Sequence, residues 1–447
     1  MKLPGQSGAK LEAIVEFIPS VGWAGLMFSP LIFQYSEFHP TGRSVQLAFV
    51  GTIAVLFFLA DFLCYSKALG RSFHPVPSRS SSAPWLVVIG FFFLLSAGLH
   101  LYLMPKIPLV VALLDAGATH GYLMEIREDS AKLLDAPPLL KYVFNWALSV
   151  FAPICVVVAL FTGRFMLGIA TLLIASIYAA ATFARFPILF LIVTCYVASC
   201  VIPSRVQRVL SLGLICFVIT CIMLIGIFLK SDSIDFMKNH SPQAQIPAFL
   251  QMKVNDPRKA LTYGDVLRLD STEANQKRSK MHDIIEYILY RAWLTPVDVS
   301  NRWYQYYTYV KKEPLGIGRL VPAQQSGVVA PSREVGLWAY EARFPQKYGK
   351  SINAYASFDA DAFAHGGVWG VLLATLLLLG ARIGATFLLT SHPVSLAAYG
   401  VLLCSFAILP SSASLQAIFG AHGLFIAFGG LVLIRILELR LHWAVKS

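Results

Sequence analysis

The sequence predicts an all-α protein, a polytopic transmembrane helical bundle of about ten spans with one large helical loop on its outer side. Hydrophobic residues make up 57% of the 447 residues, charged residues only 13%, and the mean hydropathy is +0.65. Water-soluble domains contain about 45–50% apolar and about 25% charged residues. The apolar residues also lie in runs of about 20, the length that crosses a bilayer as a helix. The composition therefore excludes a water-soluble enzyme.

Ten apolar segments define the predicted spans, and each ends where charges, Pro or Gly interrupt it. They are residues 13–34, 44–64, 85–104, 142–161, 166–183, 186–202, 209–229, 363–380, 396–410 and 415–434. The first span is longer than the core of a signal peptide, about 7–15 residues, which predicts that it is retained. The Ser-rich stretch 78–82 is predicted to be a flexible connector. The chain thus divides into spans 1–7 (1–229, with an outer segment at 105–141), a large loop (230–362) and spans 8–10 (363–447).

The distribution of charge predicts the orientation. The net charge is +12, from 36 Lys and Arg against 24 Asp and Glu. With the N-terminus inside, the inner segments carry twelve basic residues, including Arg382 after the eighth span, and the short outer segments carry six. The positive-inside rule then places both termini inside and the large loop outside. Because the orientation of the spans in the membrane accounts for the basic residues, nucleic acid is not an expected partner.

The large loop has the composition of a folded cap, since a structureless loop of its length is uncommon. It contains many aromatic residues, among them Trp293, Trp303, Tyr304, Tyr306, Tyr307, Tyr309, Trp338 and Tyr340. The segment His282–Val310 has apolar residues at helical spacing and a break at Pro296. These features predict two helices lying at the outer membrane surface.

Within this loop, residues 291–302 concentrate groups that bind phosphate or move protons. Arg291, Pro296 and Asp298 fit around a single helix start, with Thr295 available as a cap ahead of the Pro. Two further arginines follow, Arg302 and Arg319, the second in a short Gly-Ile-Gly-Arg segment. Guanidinium groups bind phosphate oxygens in pairs and stay charged at any pH. The loop therefore predicts a site for a pyrophosphate-linked sugar, with aromatic faces to stack on sugar rings.

Two other arginines and two candidate bases complete the predicted site. Arg185 lies between two apolar runs, where an Arg at membrane depth costs about 2.5–3.5 kcal/mol and usually faces a cavity or anion; the alternative is an Arg that reaches lipid headgroups. Arg127 is flanked by acids, so the alternative there is a surface ion pair. A base must take a proton from an attacking hydroxyl, and Asp298 and His365 are the candidates. For His365 the alternative is an interfacial polar residue at a helix start.

Other polar residues carry weaker predictions. Glu16, Asp61, His100 and His422, within or near spans, are interpreted as buried partners or interface residues, with a proton relay left open for Glu16 and Asp61. Asp359-Ala-Asp361 is the one acidic alternation, and no metal site is predicted. All seven cysteines lie in apolar runs, which argues against disulfides and a zinc site. The sequence has no Walker motif, so an ATP-driven transporter is not expected.

The layout resembles the Wzy-type oligosaccharide repeat-unit polymerases, the O-antigen polymerase family of bacterial envelopes. The shared features are an outer segment from Gly117 to Arg127, Thr182-Phe-Ala-Arg185 between two central spans, and a long outer loop after the seventh span. In that loop, Arg291, Pro296 and Asp298 resemble the family's Arg, Pro, acidic pattern. The Gly-rich stretch 357–370, with His365-Gly-Gly, resembles the start of the family's next span.

The resemblance implies a GT-C-like helical fold in the bacterial inner membrane with a periplasmic large loop. It implies a metal-independent glycosyltransferase that joins undecaprenyl-pyrophosphate-linked oligosaccharide repeat units into O-antigen or a related surface polysaccharide. Arg127, Arg185 and Arg291 would bind the pyrophosphate, and Arg291 would also act in catalysis. Arg302 and Arg319 are added as further pyrophosphate-binding residues only because they lie close to these residues in the sequence. Because the donor is already activated, no cofactor is needed. Expected partners are the lipid-linked donor and acceptor, membrane lipids, a chain-length regulator and a flippase.

Two alternatives stay open from the sequence. An O-antigen ligase would use the same donor but transfer the glycan to lipid A-core. A transporter or flippase of lipid-linked sugars belongs to a different class, and the missing internal repeat and the large aromatic loop argue against it.

Overall fold

The computed structural model of the chain describes residues 15–33, 40–69, 79–114, 126–127, 130, 136–182, 188–201, 295–312, 331–340, 356–390, 392–409 and 417–446. The predicted span at 209–229 lies outside these residues, as do Arg185, Arg291 and Arg319. All regular secondary structure in the described residues is helical, which confirms the all-α prediction.

The helices overlap the other nine predicted spans and add short helices outside them. In chain order they are α1 (Ile18–Phe33), α2 (Pro40–Leu69), α3 (Arg79–Leu103), α4 (Pro108–Leu114), α5 (Pro138–Trp146, Ala147–Phe151 and Ala152–Phe161), α6 (Phe165–Ala181), α7 (Ile188–Val201), α8 (Thr295–Gln305), α9 (Pro331–Tyr340), α10 (Phe358–Leu388), α11 (Pro393–Ala407) and α12 (Leu424–Lys446). Turns of π-helix lie within α1 and α5, directly after α8, and before α12; they are Ala24–Phe28, Ala147–Phe151, Tyr306–Val310 and Ala417–Ala421.

The chain is a membrane protein by the length and apolar surface of its helices. Among the residues that the structure describes, four segments are long and apolar enough to cross a membrane: Gly42–Ser66, Ala83–Leu103, Leu139–Phe161 and Phe358–Leu388. α1, α6 and α11 are apolar but shorter. Large apolar side chains such as Phe62, Phe91 and Leu376 are exposed on the long helices. Apolar surface of this extent is unfavourable in water and favourable against lipid chains.

Helix α11 forms the centre of the bundle. Every residue from Pro393 to Phe406 is buried, and α11 contacts α1, α5, α7, α10 and α12. A helix that is apolar on all sides needs neighbours on all sides, which explains why the other helices pack around it.

Several predicted boundaries are wrong. α3 begins at Arg79, so the Ser-rich stretch predicted as a connector belongs largely to its first turns. The last helix begins at Leu424, after a π-helical turn, and not at 415. α10 begins at Phe358 and continues past 380 to Leu388, so Arg382 lies inside a helix and is fully buried, not in an inner loop. A single charge does not end a helix when neighbouring helices supply its partners.

α10 turns sharply near its start. Gly367 has φ 57° and ψ −142°, so the helix consists of a first segment, 358–366, and a second segment, 368–388. A positive φ favours glycine, since a Cβ would clash with the backbone. The turn brings Gly370 against the carbonyl oxygen of Ala362, where a Cβ would overlap that oxygen. The first segment is thereby placed beside α8.

Gly370→Ala is expected to lower the thermal midpoint of the detergent-solubilised protein, because the methyl group would force the two segments of α10 apart. Gly380→Ala, in the same helix, is the matched control, since a Cβ there has no neighbouring atom within 4 Å. Ala is favoured over Gly inside a helix by about 0.5–1 kcal/mol, so this control should keep or raise the midpoint. Equal midpoints for the two variants would contradict the close approach at Gly370.

Candidate functional site

The candidate site is built on α8, which begins where the sequence predicts a helix start. Thr295 is its first residue, Pro296 follows in the first turn, and Asp298 is the acid of that turn. Pro suits the first turn because its missing N–H has no helical partner there, and an acid interacts favourably with the helix N-terminus. The predicted helix start with Pro296 and Asp298 is confirmed, whereas the position of Arg291 there and the capping role of Thr295 stay predictions.

One side of α8 packs directly on the start of α2. A Cβ at Gly42 would lie 2.6 Å from the backbone oxygen of Asn301, so the close packing requires glycine. One helical turn further along α2, Gln46 donates its Nε2–H to the backbone oxygen of Val297 at 3.1 Å. Phe49 stacks on Tyr304 with ring centroids 5.8 Å apart. These contacts bury α8 against the start of α2; that it lies at the outer membrane surface stays a prediction.

A second side of α8 packs on the first segment of α10. Ser300 Oγ and Ser357 Oγ lie 2.8 Å apart, and Tyr304 donates its hydroxyl to Asp359 Oδ2 at 2.7 Å. Ser357 Oγ also donates to Asp359 Oδ1. Burial of the side chain is the main reason that the pKa of Tyr304 lies well above its usual value, and the adjacent Asp359 carboxylate raises this pKa further. The phenol therefore stays a hydrogen-bond donor.

The residues that directly follow α8 contact Glu334 of α9. Lys311 Nζ lies 2.8 Å from Glu334 Oε1, and Tyr307 donates its hydroxyl to Glu334 Oε2 at 3.3 Å. Burial and, to a smaller extent, the Glu334 carboxylate raise the pKa of Tyr306 to about 12. α8 is therefore held by α2, α10 and α9.

Two of the predicted site residues are paired on α8, and a third lies on the helix beside it. Arg302 Nε is 3.9 Å from Asp298 Oδ1, and Arg302 donates from NH1 to Gln305 Oε1 at 3.3 Å. On the first segment of α10, His365 Nε2 is 3.8 Å from Asp361 Oδ1. All five side chains are buried. The junction thus contains a cation for binding an anion and two groups, Asp298 and His365, capable of moving a proton.

A separate network of charges lies towards the other ends of α2 and α10. Arg382 NH2 is 2.5 Å from Glu16 Oε2, and Arg382 Nε is 3.0 Å from Asp61 Oδ1. Arg382 also donates from NH1 to the hydroxyl of Tyr399 at 2.6 Å, and that hydroxyl donates to Glu16 Oε2 at 2.7 Å. Asp61 Oδ2 accepts the backbone N–H of Ser20 at 2.9 Å.

This network joins the start of the described chain to α2, α10 and α11. All of its charged groups are buried, with 0% of Arg382 exposed. The interpretation of Glu16 and Asp61 as buried partners is confirmed. Along α2, fifteen residues separate Asp61 from Gln46 of the α8 junction, roughly 22 Å of helix.

The structure brings together only part of the predicted site. Asp298 and Arg302 are paired on α8, and His365 lies on the first segment of α10, which packs on α8, whereas Arg127 is exposed in the segment 105–141. Asn301 and Gln305 were missed as site residues, although their spacing from Asp298 and Arg302 is that of one helix face. Among the described residues, no group of three His, Cys, Asp or Glu side chains is placed to hold a metal ion. The chain matches no protein-family model, no curated protein and no solved structure.

Proposed function

We propose that the chain is an inner-membrane glycosyltransferase that polymerises undecaprenyl-pyrophosphate-linked oligosaccharide repeat units at the periplasmic face of a bacterial membrane. The observation that carries the proposal is the burial of a polar helix, α8, among apolar membrane helices. Charged and amide side chains are unfavourable in such a place and commonly mark a substrate site. The resemblance to the Wzy-type polymerases points to the same region of the chain through Asp298 and His365.

In this proposal the chain crosses the membrane ten times in a GT-C-like arrangement, with both termini inside. α8 and α9 belong to the large periplasmic loop, 230–362. Two observations support a loop docked at one end of the bundle: α8 contacts the starts of α2 and α10, and the Arg382 network lies towards their other ends. Contacts of this kind are expected when a loop docks on a bundle from one side.

The proposed reaction needs a cation and a base. Arg302 binds the donor pyrophosphate and stabilises the negative charge that grows as the bond between the anomeric carbon and the pyrophosphate oxygen breaks. Asp298 or His365 takes the proton from the acceptor hydroxyl, whose oxygen forms the new glycosidic bond. Undecaprenyl pyrophosphate leaves, and the activated donor supplies the driving force. Further cations proposed for the pyrophosphate are Arg127, Arg185, Arg291 and Arg319.

The proposal is tested with purified protein in proteoliposomes, given a lipid-linked repeat unit and no nucleotide. We expect a ladder of longer lipid-linked oligomers. Arg302→Gln should reduce the rate by about 10²–10³, as removal of one charge-stabilising group does in other active sites. Arg164→Gln is the matched control, because Arg164 is exposed before α6, and it should keep the full rate.

The same assay separates the alternatives. Transfer of glycan only when lipid A-core is added would indicate a ligase. Movement of the lipid-linked repeat across the liposome membrane without extension would indicate a flippase or transporter. Either result, or an undiminished ladder from Arg302→Gln in folded protein, would contradict the proposed polymerase site.

A further inference from the structure

Four polar residues form one face of α8, which we call the polar stripe. Asp298, Asn301, Arg302 and Gln305 follow the spacing i, i+3, i+4, i+7, which places them in one row along a helix. On a helix packed into a bundle, such a row is usually apolar. All four are nevertheless buried, from 0% exposed for Asn301 to 9% for Asp298.

Asn301 is the member of the polar stripe whose hydrogen-bonding groups are unused. Its Nδ2 donor and Oδ1 acceptor are both buried without a partner in the described part of the chain. Gln46 of α2 donates to Val297, one turn before Asn301, while its Oε1 has no partner among the same residues. Gly42, one turn before Gln46, packs so closely on Asn301 that a Cβ would lie 3.0 Å from Nδ2. The two amides therefore share one interface.

The unused atoms specify the chemistry of a ligand. Buried polar atoms are almost always hydrogen-bonded, so atoms without partners need an explanation. In the described residues at the interface of α2 and α8, Asn301 Oδ1 and Gln46 Oε1 are unused acceptors, and Asn301 Nδ2 is an unused donor. A sugar hydroxyl both donates and accepts, whereas an ionised phosphate oxygen only accepts. A phosphate would leave the acceptors unsatisfied, so the unused atoms fit a hydroxyl-rich ligand.

We propose that Asn301 and Gln46 bind hydroxyl groups on a sugar ring of the acceptor repeat unit. This inference rests on the proposed function and assigns the two halves of the substrate to different side chains at the interface of α2 and α8. Arg302, next to Asn301 on the polar stripe, takes the pyrophosphate, and the amides take the sugar. Asn301 is a substrate-binding residue and carries no proton in the reaction, because an amide does not titrate.

Asn301→Leu tests the proposal, because Leu keeps the branched shape and removes both amide atoms. The amide has no protein partner to lose among the described residues, so the thermal midpoint of the variant should equal or exceed that of the wild type. With an acceptor analogue that carries an alkyl group in place of the pyrophosphate, the KM should rise about 10- to 100-fold. The KM of the pyrophosphate-bearing donor should change less than about twofold.

A binding measurement separates sugar from phosphate. Saturation-transfer NMR on the full chain in nanodiscs would use maltotriose and chitotriose as sugar probes, and ³¹P line broadening would follow inorganic pyrophosphate. We expect transfer to at least one trisaccharide in the wild type, its loss in Asn301→Leu, and pyrophosphate binding in both. Asn145→Leu is the matched control, because Asn145 is exposed on α5, and it should behave as the wild type.

The outcomes distinguish this inference from the proposed function. If the wild-type protein extends repeat units and Asn301→Leu has an unchanged KM for the acceptor, the sugar site is overturned but the proposed polymerase function is not. Sugar binding that depends on Asn301, in a protein that extends no repeat units, would support the sugar site and reject the polymerase. A lowered thermal midpoint together with lost binding would overturn the inference, since the amide would then be structural.

Discussion

Arg382→Leu is expected to destabilise the bundle strongly. The change leaves the carboxylates of Glu16 and Asp61 buried without the cation that compensates them. Breaking a buried ion pair by removing one partner costs about 3–5 kcal/mol, a large part of the roughly 5–15 kcal/mol that separates folded from unfolded proteins. Fluorescence-detected size-exclusion chromatography after graded heating in detergent should show a midpoint lower by roughly 3–5 °C.

Two controls identify the cause of this loss. Arg440→Leu makes the same chemical change at an exposed position of α12 and should leave the midpoint unchanged. The triple variant Glu16→Gln, Asp61→Asn, Arg382→Met removes all three charges together. It should recover most of the stability, because a buried ion network is often replaceable by neutral groups without loss. If Arg382→Leu and Arg440→Leu unfold at the same temperature, the network does not stabilise the bundle.

Asp298→Asn is expected to have the largest effect on polymerisation in proteoliposomes. The variant keeps the shape of the side chain at the start of α8 but removes the proton acceptor beside Arg302. General-base catalysis contributes about 10²–10⁴ to a rate, so the extension rate of the folded variant should fall by that factor. The assay is single-step extension of a labelled lipid-linked repeat.

His365→Gln decides between the two candidate bases. If Asp298 is the base, His365→Gln should cost less than Asp298→Asn, since His365 would then only contribute to the polar surroundings of the site. The reverse order would assign the base to His365, which lies beside Asp361 on α10. Glu438→Gln, in α12, is a control for a change of charge outside the site. Extension rates within about threefold of the wild type for both Asp298→Asn and His365→Gln would rule out both residues as the base.

The positions of the helices were largely predictable, and their ends were not. Helices overlap nine predicted spans because a run of apolar residues is stable in lipid whatever its neighbours in the fold. The ends depend on tertiary contacts. α10 begins five residues before the predicted span because its first turns pack on α8, and it continues through Arg382 because acids from elsewhere in the chain compensate the charge. α8 is buried because Val299, Trp303 and Tyr304 pack in an apolar cluster with residues of α9 and α10, and because α2 and α10 supply partners for some of its polar groups.

The sequence predicted several of the residues in the candidate site, but not which side chains the fold brings together there. Asp298 and His365 stood out as titratable residues beside predicted helix starts, and Arg302 as an arginine close to Asp298 in the sequence. Asn301 and Gln305 did not, because an amide in a loop is ordinary until the fold buries it.

By itself, the sequence determined that this chain is a membrane protein and where most of the helices of its described part lie, because hydropathy depends on consecutive residues. Only the tertiary structure decided which polar groups meet. Glu16 and Arg382 are 366 residues apart, and Gln46 and Val297 are 251 apart. Because a buried polar group is stabilised or left unused by whatever packs against it, those pairings depend on how the helices approach one another.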